Sequence, residues 1–147
     1  MVIKSRLTMV LDKSEQEQQQ IVDRLEKAVT FVEQERLKLS QLRAYEEEYL
    51  KSIQIHQHNW TSKQINHYRS FCYKINDTAN KQQESLEAAQ QVVEQLRKQL
   101  NEAQHKITVL NDIIQQQRQQ LIQVHDKRLQ KDIDEISNLR LYYSVKY

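Results

Sequence analysis

Residues 65–124 read INHYRSFCYKINDTANKQQESLEAAQQVVEQLRKQLNEAQHKITVLNDIIQQQRQQLIQV, and this stretch decides the fold. Taken in alternating steps of three and four, it places eighteen residues at the a and d positions of a heptad repeat. Apolar a and d positions sustained over this length predict a coiled-coil helix, and these positions are called the seam below. Only Gln82 and Gln117 among the eighteen are polar. The seam positions are Ile65, Tyr68, Cys72, Ile75, Ala79, Gln82, Leu86, Ala89, Val93, Leu96, Leu100, Ala103, Ile107, Leu110, Ile114, Gln117, Leu121 and Val124.

The register changes after Val124, because Arg128 and Lys131 would then fall in the seam. A displaced apolar stripe of Leu129, Ile133 and Ile136 takes over, as it does at a stutter in a coiled coil.

The N-terminal third carries a weaker form of the same repeat. Nine of its fourteen seam positions are apolar: Leu11, Ile21, Leu25, Ala28, Val32, Leu39, Leu42, Tyr49 and Ile53. The five polar interruptions are Ser14, Gln18, Glu35, Glu46 and His56. Between Ile55 and Ile65 both registers fail, so we place a turn near residue 58, with Asn59, Thr61 or Ser62 as the cap of a second helix.

The chain of 147 residues has neither glycine nor proline. Sandwiches, barrels and doubly wound sheets, which need frequent turns, are therefore excluded. We expect an all-α fold in which two long helices form an antiparallel coiled-coil hairpin with an overhanging C-terminal helix. The expected domain is a single hairpin over 1–147, with helix 1 at about 4–56, the turn at about 57–61, helix 2 at about 62–138 and a tail at 139–147.

The same composition leaves little room for chemistry. Without glycine there is no P-loop, dinucleotide fingerprint or nucleophile elbow. A net charge of +2 makes no strong case for nucleic acid, and no stretch approaches the ~20 apolar residues of a membrane span. His56 and His58 do not share a helix face, and Cys72 sits at a seam position. We therefore expect no catalytic set, no metal site and no cofactor.

One edge of the hairpin is predicted to be aromatic. In an antiparallel pair the g positions of both helices share an edge, and with the turn centred near 58 they place Tyr45 opposite Phe71. Tyr49 and Ile75 lie in the adjoining seam. These residues either widen the core of the hairpin or form a docking surface for another protein.

Three segments in this order resemble the FliJ family, the small coiled-coil proteins of the bacterial flagellar type III export apparatus. The resemblance covers nearly the whole chain. The segments are Leu42-x-x-Tyr45-x-x-x-Tyr49, then Trp60-Thr61-Ser62 followed by Ile65-Asn66-x-Tyr68-x-x-Phe71, and Gln130-Lys131-x-x-Asp134-Glu135-Ile136.

The resemblance implies a non-enzymatic, stalk-like protein at the cytoplasmic face of the cell membrane, at the flagellar base. Its implied partners are the hexameric export ATPase and its regulator, the membrane export gate, and export chaperones. The family's gate-contacting positions carry over to Leu42, Tyr45, Tyr49 and Phe71, with Ile75 at a similar apolar position. Its likeness to a rotary stalk implicates the overhang in contact with the ATPase, through Leu129, Gln130, Lys131, Asp134, Glu135 and Ile136.

Two alternatives remain at this point. The chain could be the equivalent component of a virulence-type secretion system. It could also be a structural parallel coiled-coil dimer or tether unrelated to export, because helix 2 has the better register.

Overall fold

Two helices make up nearly all of the chain. The computed structural model describes residues 2–146 and the side chains of 6–144, with α1 at Val2–His56 and α2 at Ser62–Lys146. No strand occurs among these residues, and the predicted all-α hairpin is confirmed. The lack of glycine and proline explains the helix lengths, because neither a flexible nor a hydrogen-bond-deficient residue interrupts the backbone.

The chain divides into two compact units. The turn unit is Gln18–Glu102, and the termini unit combines Met1–Glu17 with Ala103–Tyr147. The expectation that residues 1–147 act as a single hairpin domain stays a prediction.

The connection between the helices closes without any residue in the left-handed region. The backbone N–H groups of Asn59 and Trp60 both donate to the carbonyl of His56, at 2.9 and 3.0 Å. No described residue has a positive φ, so the absence of glycine costs this turn nothing. Thr61 caps α2: its hydroxyl accepts from the N–H of Gln64 at 3.3 Å, and the Gln64 side chain accepts from the N–H of Thr61 at 3.0 Å. This reciprocal capping box defines where α2 starts.

Contacts across the turn unit show that its helices run antiparallel. Moving away from the turn, Tyr49 meets Phe71, Arg43 bonds to Asn76, and Glu35 bonds to Gln82. Residue numbers fall along α1 as they rise along α2, which defines an antiparallel pair.

Burial follows the heptad registers closely. In α2, the sixteen seam positions from Ile65 to Gln117 are all buried or half-buried, and in α1 every seam position except His56 is so. The best-packed cluster joins Val32 to Leu86, Ala89 and Val93, with Leu25, Ala28 and Leu39 packed against it. The polar interruptions Ser14 and Glu35 are buried as well.

Two polar seam residues satisfy one another. The Gln82 amide nitrogen donates to the backbone carbonyl of Glu35 at 3.1 Å and to the Glu35 carboxylate. Lys38 adds an ion pair to the same carboxylate at 3.2 Å. A buried carboxylate with no partner would be strongly destabilising. The hydrogen bonds between Gln82 and Glu35 therefore explain why both polar residues are tolerated in the seam.

Within the termini unit, burial stops partway along α2. Leu7 and Leu11 of α1 are half-buried, Ser14 is buried, and Ile114 is the last buried residue of α2. The predicted seam positions Leu121 and Val124 are exposed, contrary to the heptad reading. The described side chains of α1, which are those from residue 6 onward, leave both residues uncovered.

The second helix also continues past residue 138, where the sequence reading ended it, and reaches Lys146. Residues 139–146 contain no glycine or proline to stop the helix, and leucine and arginine at 139–141 are good helix formers. The first helix likewise begins at Val2 rather than at about residue 4.

Replacing Ala79 by leucine tests the tightness of the seam. Ala79 has no exposed surface, so A79L should overpack the helix pair and lower the free energy of unfolding by about 1–3 kcal/mol. Ala88 is exposed on the same helix, and A88L is the matched control because alanine and leucine have similar helix propensity. Urea unfolding followed by circular dichroism measures both variants. Equal stability of A79L and A88L would contradict the described packing.

Candidate partner-binding surfaces

A chain of aromatic rings lies at the turn. His56 stacks on Trp60 with 5.0 Å between ring centroids, and Trp60 stacks on Tyr68 at 4.4 Å. Tyr68 lies 5.9 Å from Tyr49, which meets Phe71 edge-on at 4.9 Å. Such pairs add about 0.5–1.5 kcal/mol each beyond area burial. These five residues, the aromatic cluster, hold the end of α1, the connection and the start of α2 together.

The ring that meets Phe71 belongs to Tyr49, whereas the sequence analysis placed Tyr45 opposite Phe71. That placement took the turn centre as residue 58. The connection runs from 57 to 61, and pairs such as Tyr49 with Phe71 centre on residue 60. Moving the centre toward α2 moves the residue opposite Phe71 about one helical turn along α1, from Tyr45 to Tyr49.

The five residues predicted to bind the gate, the turn surface below, differ in accessibility. Tyr45 and Phe71 are exposed, at 56% and 43% of their surface. Leu42 and Tyr49 are half-buried, and Ile75 is buried in the seam. A partner arriving at this surface would therefore meet Tyr45 and Phe71 first, with Ile75 supporting them from below.

The turn surface rests on a helix pair clamped by a residue that sequence reasoning missed. The Arg43 guanidinium donates to Glu46 at 3.0 Å, to Asn76 at 3.1 Å and to Asn80 at 3.2 Å. Arg43 and Asn76 both occupy e positions of their heptads. Their shared e positions could have predicted this contact, but only once the pairing of the two helices is known.

Trp60 was also missed as a packing residue. Its sequence neighbourhood reads as turn residues, yet it is half-buried and stacks on two rings. An indole in a segment without heptad register still needs an apolar surface to cover it, and that is the signal that could have found it.

A further apolar groove lies in the turn unit, lined by residues of the g edge and their neighbours. Phe31 of α1 and Val92 of α2 flank it, and each is about half exposed. Its floor is made of small side chains, because Ser85, Ala88 and Ala89 follow one another along α2. The edge predicted to be apolar is thus open to solvent at this place.

The six residues predicted to contact the ATPase are all exposed. They belong to the tail segment, residues 118–144 of α2, in which every described side chain is exposed. Leu129 and Ile136 expose 52% and 54% of their surface. Gln130 donates to Asp134 within the helix at 3.1 Å.

No group of three or more histidine, cysteine, aspartate or glutamate side chains among residues 6–144 could hold a metal ion. Cys72 is buried, and burial, together with the nearby Glu46 charge, raises the pKa of its thiol. A raised pKa keeps the thiol protonated and unreactive, in keeping with a packing role.

Within the described residues, no helix is long and apolar enough to cross a membrane.

Comparison with known proteins identifies the family. The family model described as "Flagellar FliJ protein" matches residues 3–145, nearly the whole chain. Neither the curated proteins nor the solved structures gave a match. The two-helix architecture agrees with the coiled-coil proteins that the sequence resembles. The chain therefore belongs to the FliJ family and is a component of the flagellar export apparatus.

Proposed function

We propose that this protein couples the hexameric export ATPase to the membrane export gate as a stalk, and that it escorts export chaperones. The observation that carries the proposal is that each unit of the chain has an apolar surface open to solvent, in addition to the groove flanked by Phe31 and Val92. In the turn unit it is the turn surface, and in the termini unit it is the tail segment. A protein with two such surfaces is suited to holding two partners at once.

The gate is assigned to the turn surface. Exposed aromatic side chains on a rigid support are the common form of a binding hot spot, because ordering them costs little conformational entropy. Tyr45 and Phe71 are exposed, while the aromatic cluster and the Arg43 hydrogen bonds stiffen the helix pair behind them. The half-buried Leu42 and Tyr49 and the buried Ile75 complete the surface by setting its shape.

The ATPase and its regulator are assigned to the tail segment. Its apolar side chains have no cover within the chain, and it also carries both signs of charge, as Lys131, Asp134 and Glu135 show. An apolar stripe with adjacent charges gives both affinity and orientation to a contact with a ring-shaped partner. We propose contacts through Leu129, Gln130, Lys131, Asp134, Glu135 and Ile136.

In this proposal the whole chain, residues 1–147, works as one hairpin that transmits position or force and makes or breaks no bonds. The FliJ family comprises non-enzymatic export components, which supports that role. The protein would work on the cytoplasmic side, held at the inner face of the cell membrane at the flagellar base by its partners.

Of the two alternatives from the sequence analysis, the first lacks support and the second conflicts with the antiparallel pairing of α1 and α2. The family match is to a flagellar protein and gives no support to a virulence-type system. A parallel coiled-coil dimer or tether conflicts with the turn unit, where α1 and α2 of one chain fill the seam together.

Replacing Tyr45 by alanine tests the gate assignment. Tyr45 is exposed, so Y45A should leave the free energy of unfolding within about 0.5 kcal/mol of the parent. Gate binding should weaken by about tenfold or more, as expected for loss of a hot-spot aromatic. Y49A should weaken binding as well, but it should also lower stability because Tyr49 contacts two other rings.

The control is Y73A, because Tyr73 is a more exposed tyrosine that lies beside Leu50 and Arg69, away from the turn surface. Binding is measured by titration against the gate protein in lipid nanodiscs, and helicity by circular dichroism. Unchanged affinity of Y45A, or an equal loss in Y73A, would refute the gate assignment.

Shortening the chain tests the ATPase assignment. Deletion of residues 121–147 should abolish the effect of the protein on the ATPase rate while the turn unit keeps its unfolding transition, because the described side chains from 118 onward are exposed. The double variant L129E/I136E should act in the same way. N138E, on the opposite face of the helix, is the control with the same kind of substitution. Full stimulation by the deletion variant would show that the ATPase binds elsewhere.

A further inference from the structure

The tail segment carries a heptad register of its own. Shifted by one residue from the seam of α2, it places apolar residues at all four a positions, Ile122, Leu129, Ile136 and Tyr143. Of its four d positions only Leu139 is apolar, and the others are Arg118, His125 and Asp132. The apolar side chains of this register are thus Ile122, Leu129, Ile136, Leu139 and Tyr143. These five side chains, the tail stripe, are between 52% and 59% exposed. A stripe with heptad spacing is suited to another helix rather than to a flat surface.

Charged residues flank the tail stripe on both edges. On one edge a positive charge precedes a negative one along the helix, and on the other edge the order is reversed. In the shifted register, the g positions include Arg128 and, seven residues later, Glu135. On the other edge the e positions include Asp126 and, fourteen residues later, Arg140. Among side chains 6–144, none of these four forms a salt bridge or a side-chain hydrogen bond. Their charges are therefore available to a partner helix.

This order is self-complementary when the partner is the same helix running the other way. In antiparallel pairs g positions face g positions, so Arg128 of one copy lies opposite Glu135 of the other, and the two-fold axis repeats the pair. In the same register the seam pairs Ile122 with Leu139 of the second copy.

We propose that the tail segments of two copies of this chain pack against each other as an antiparallel two-helix coiled coil. The partner is a second copy of this chain, because the same helix supplies both the positive and the negative member of the Arg128–Glu135 pair. The inference goes beyond the proposed function and does not rest on it.

A parallel arrangement is disfavoured by the same residues. Parallel helices place each seam residue beside its own copy, so Asp132, at a d position, would face Asp132 of the second chain. In the antiparallel register Asp132 lies opposite Leu129 instead. The like-charge contact is thereby avoided, although an aspartate in the seam keeps the association weak and reversible.

The self-paired tail and the proposed ATPase contact would compete. Both cover Leu129 and Ile136, so a copy engaged with a second copy cannot present the tail stripe to the ring.

Charge exchange tests the proposal on the full-length protein without any ATPase. Sedimentation velocity over a range of concentrations should show a monomer–dimer equilibrium, weakened by high salt. R128E and E135K should each lower the association constant by about tenfold, because each puts like charges at two symmetric places. An equimolar mixture of R128E and E135K should regain the parent association, since opposite charges then face each other again.

Matched controls are K127E and D134K, which make the same charge changes at neighbouring outward f positions and should associate like the parent. Circular dichroism verifies that every variant stays helical. A monomer at all concentrations, indifference to R128E and E135K, or their failure to rescue one another would each overturn the proposal. The ATPase assignment is judged separately by the ATPase rate, so either can fail without the other.

Discussion

Burial of one narrow apolar stripe on each helix is the interaction on which the other contacts of this protein depend. Two helices cannot enclose a side chain as a globular core does. Among the described apolar side chains, only Ala79 has no exposed surface. Larger buried residues such as Val32 and Leu86 still expose a few per cent of their surface. With so little interior, stability is spread over a long seam, and the residues along its edges are left accessible for partners.

The heptad pattern was enough to predict the fold class and most of the seam, because a long helix with no breaker has few ways to bury a stripe. It treated Glu35 and Gln82 as interruptions, although they bond to each other. A pattern taken from one helix cannot reveal a hydrogen-bond partner on the other. Whether Leu121 and Val124 are buried likewise depends on α1, and the heptad register of α2 carries no information about α1.

The residues of the turn surface were predicted from sequence and from the family resemblance, and their role in binding stays a prediction. Their contacts with one another could not be predicted in the same way. In an antiparallel pair, each residue of error in the turn centre displaces the opposite residue by two. Here the centre was wrong by two residues, and the displacement of four put Tyr45 in the place of Tyr49 beside Phe71. The accessible part of the surface is therefore Tyr45 and Phe71, while Tyr49 belongs to the packing that supports them. Arg43 and Trp60 complete that support, and neither stands out until the two helices are placed together.

The position of the aromatic cluster has a consequence for the order in which the hairpin folds. Tyr49 and Tyr68 are nineteen residues apart in sequence, whereas Glu35 and Gln82 are 47 apart. Closing the shorter loop costs about 0.8 kcal/mol less chain entropy. Most of the described ring contacts lie beside the connection, where the loop to be closed is shortest. We therefore expect pairing to start at the connection and to proceed outward, because each new contact then closes only a small additional loop. A chain that folds in this way forms few long-range contacts in advance, which keeps wrong helix registers from becoming traps.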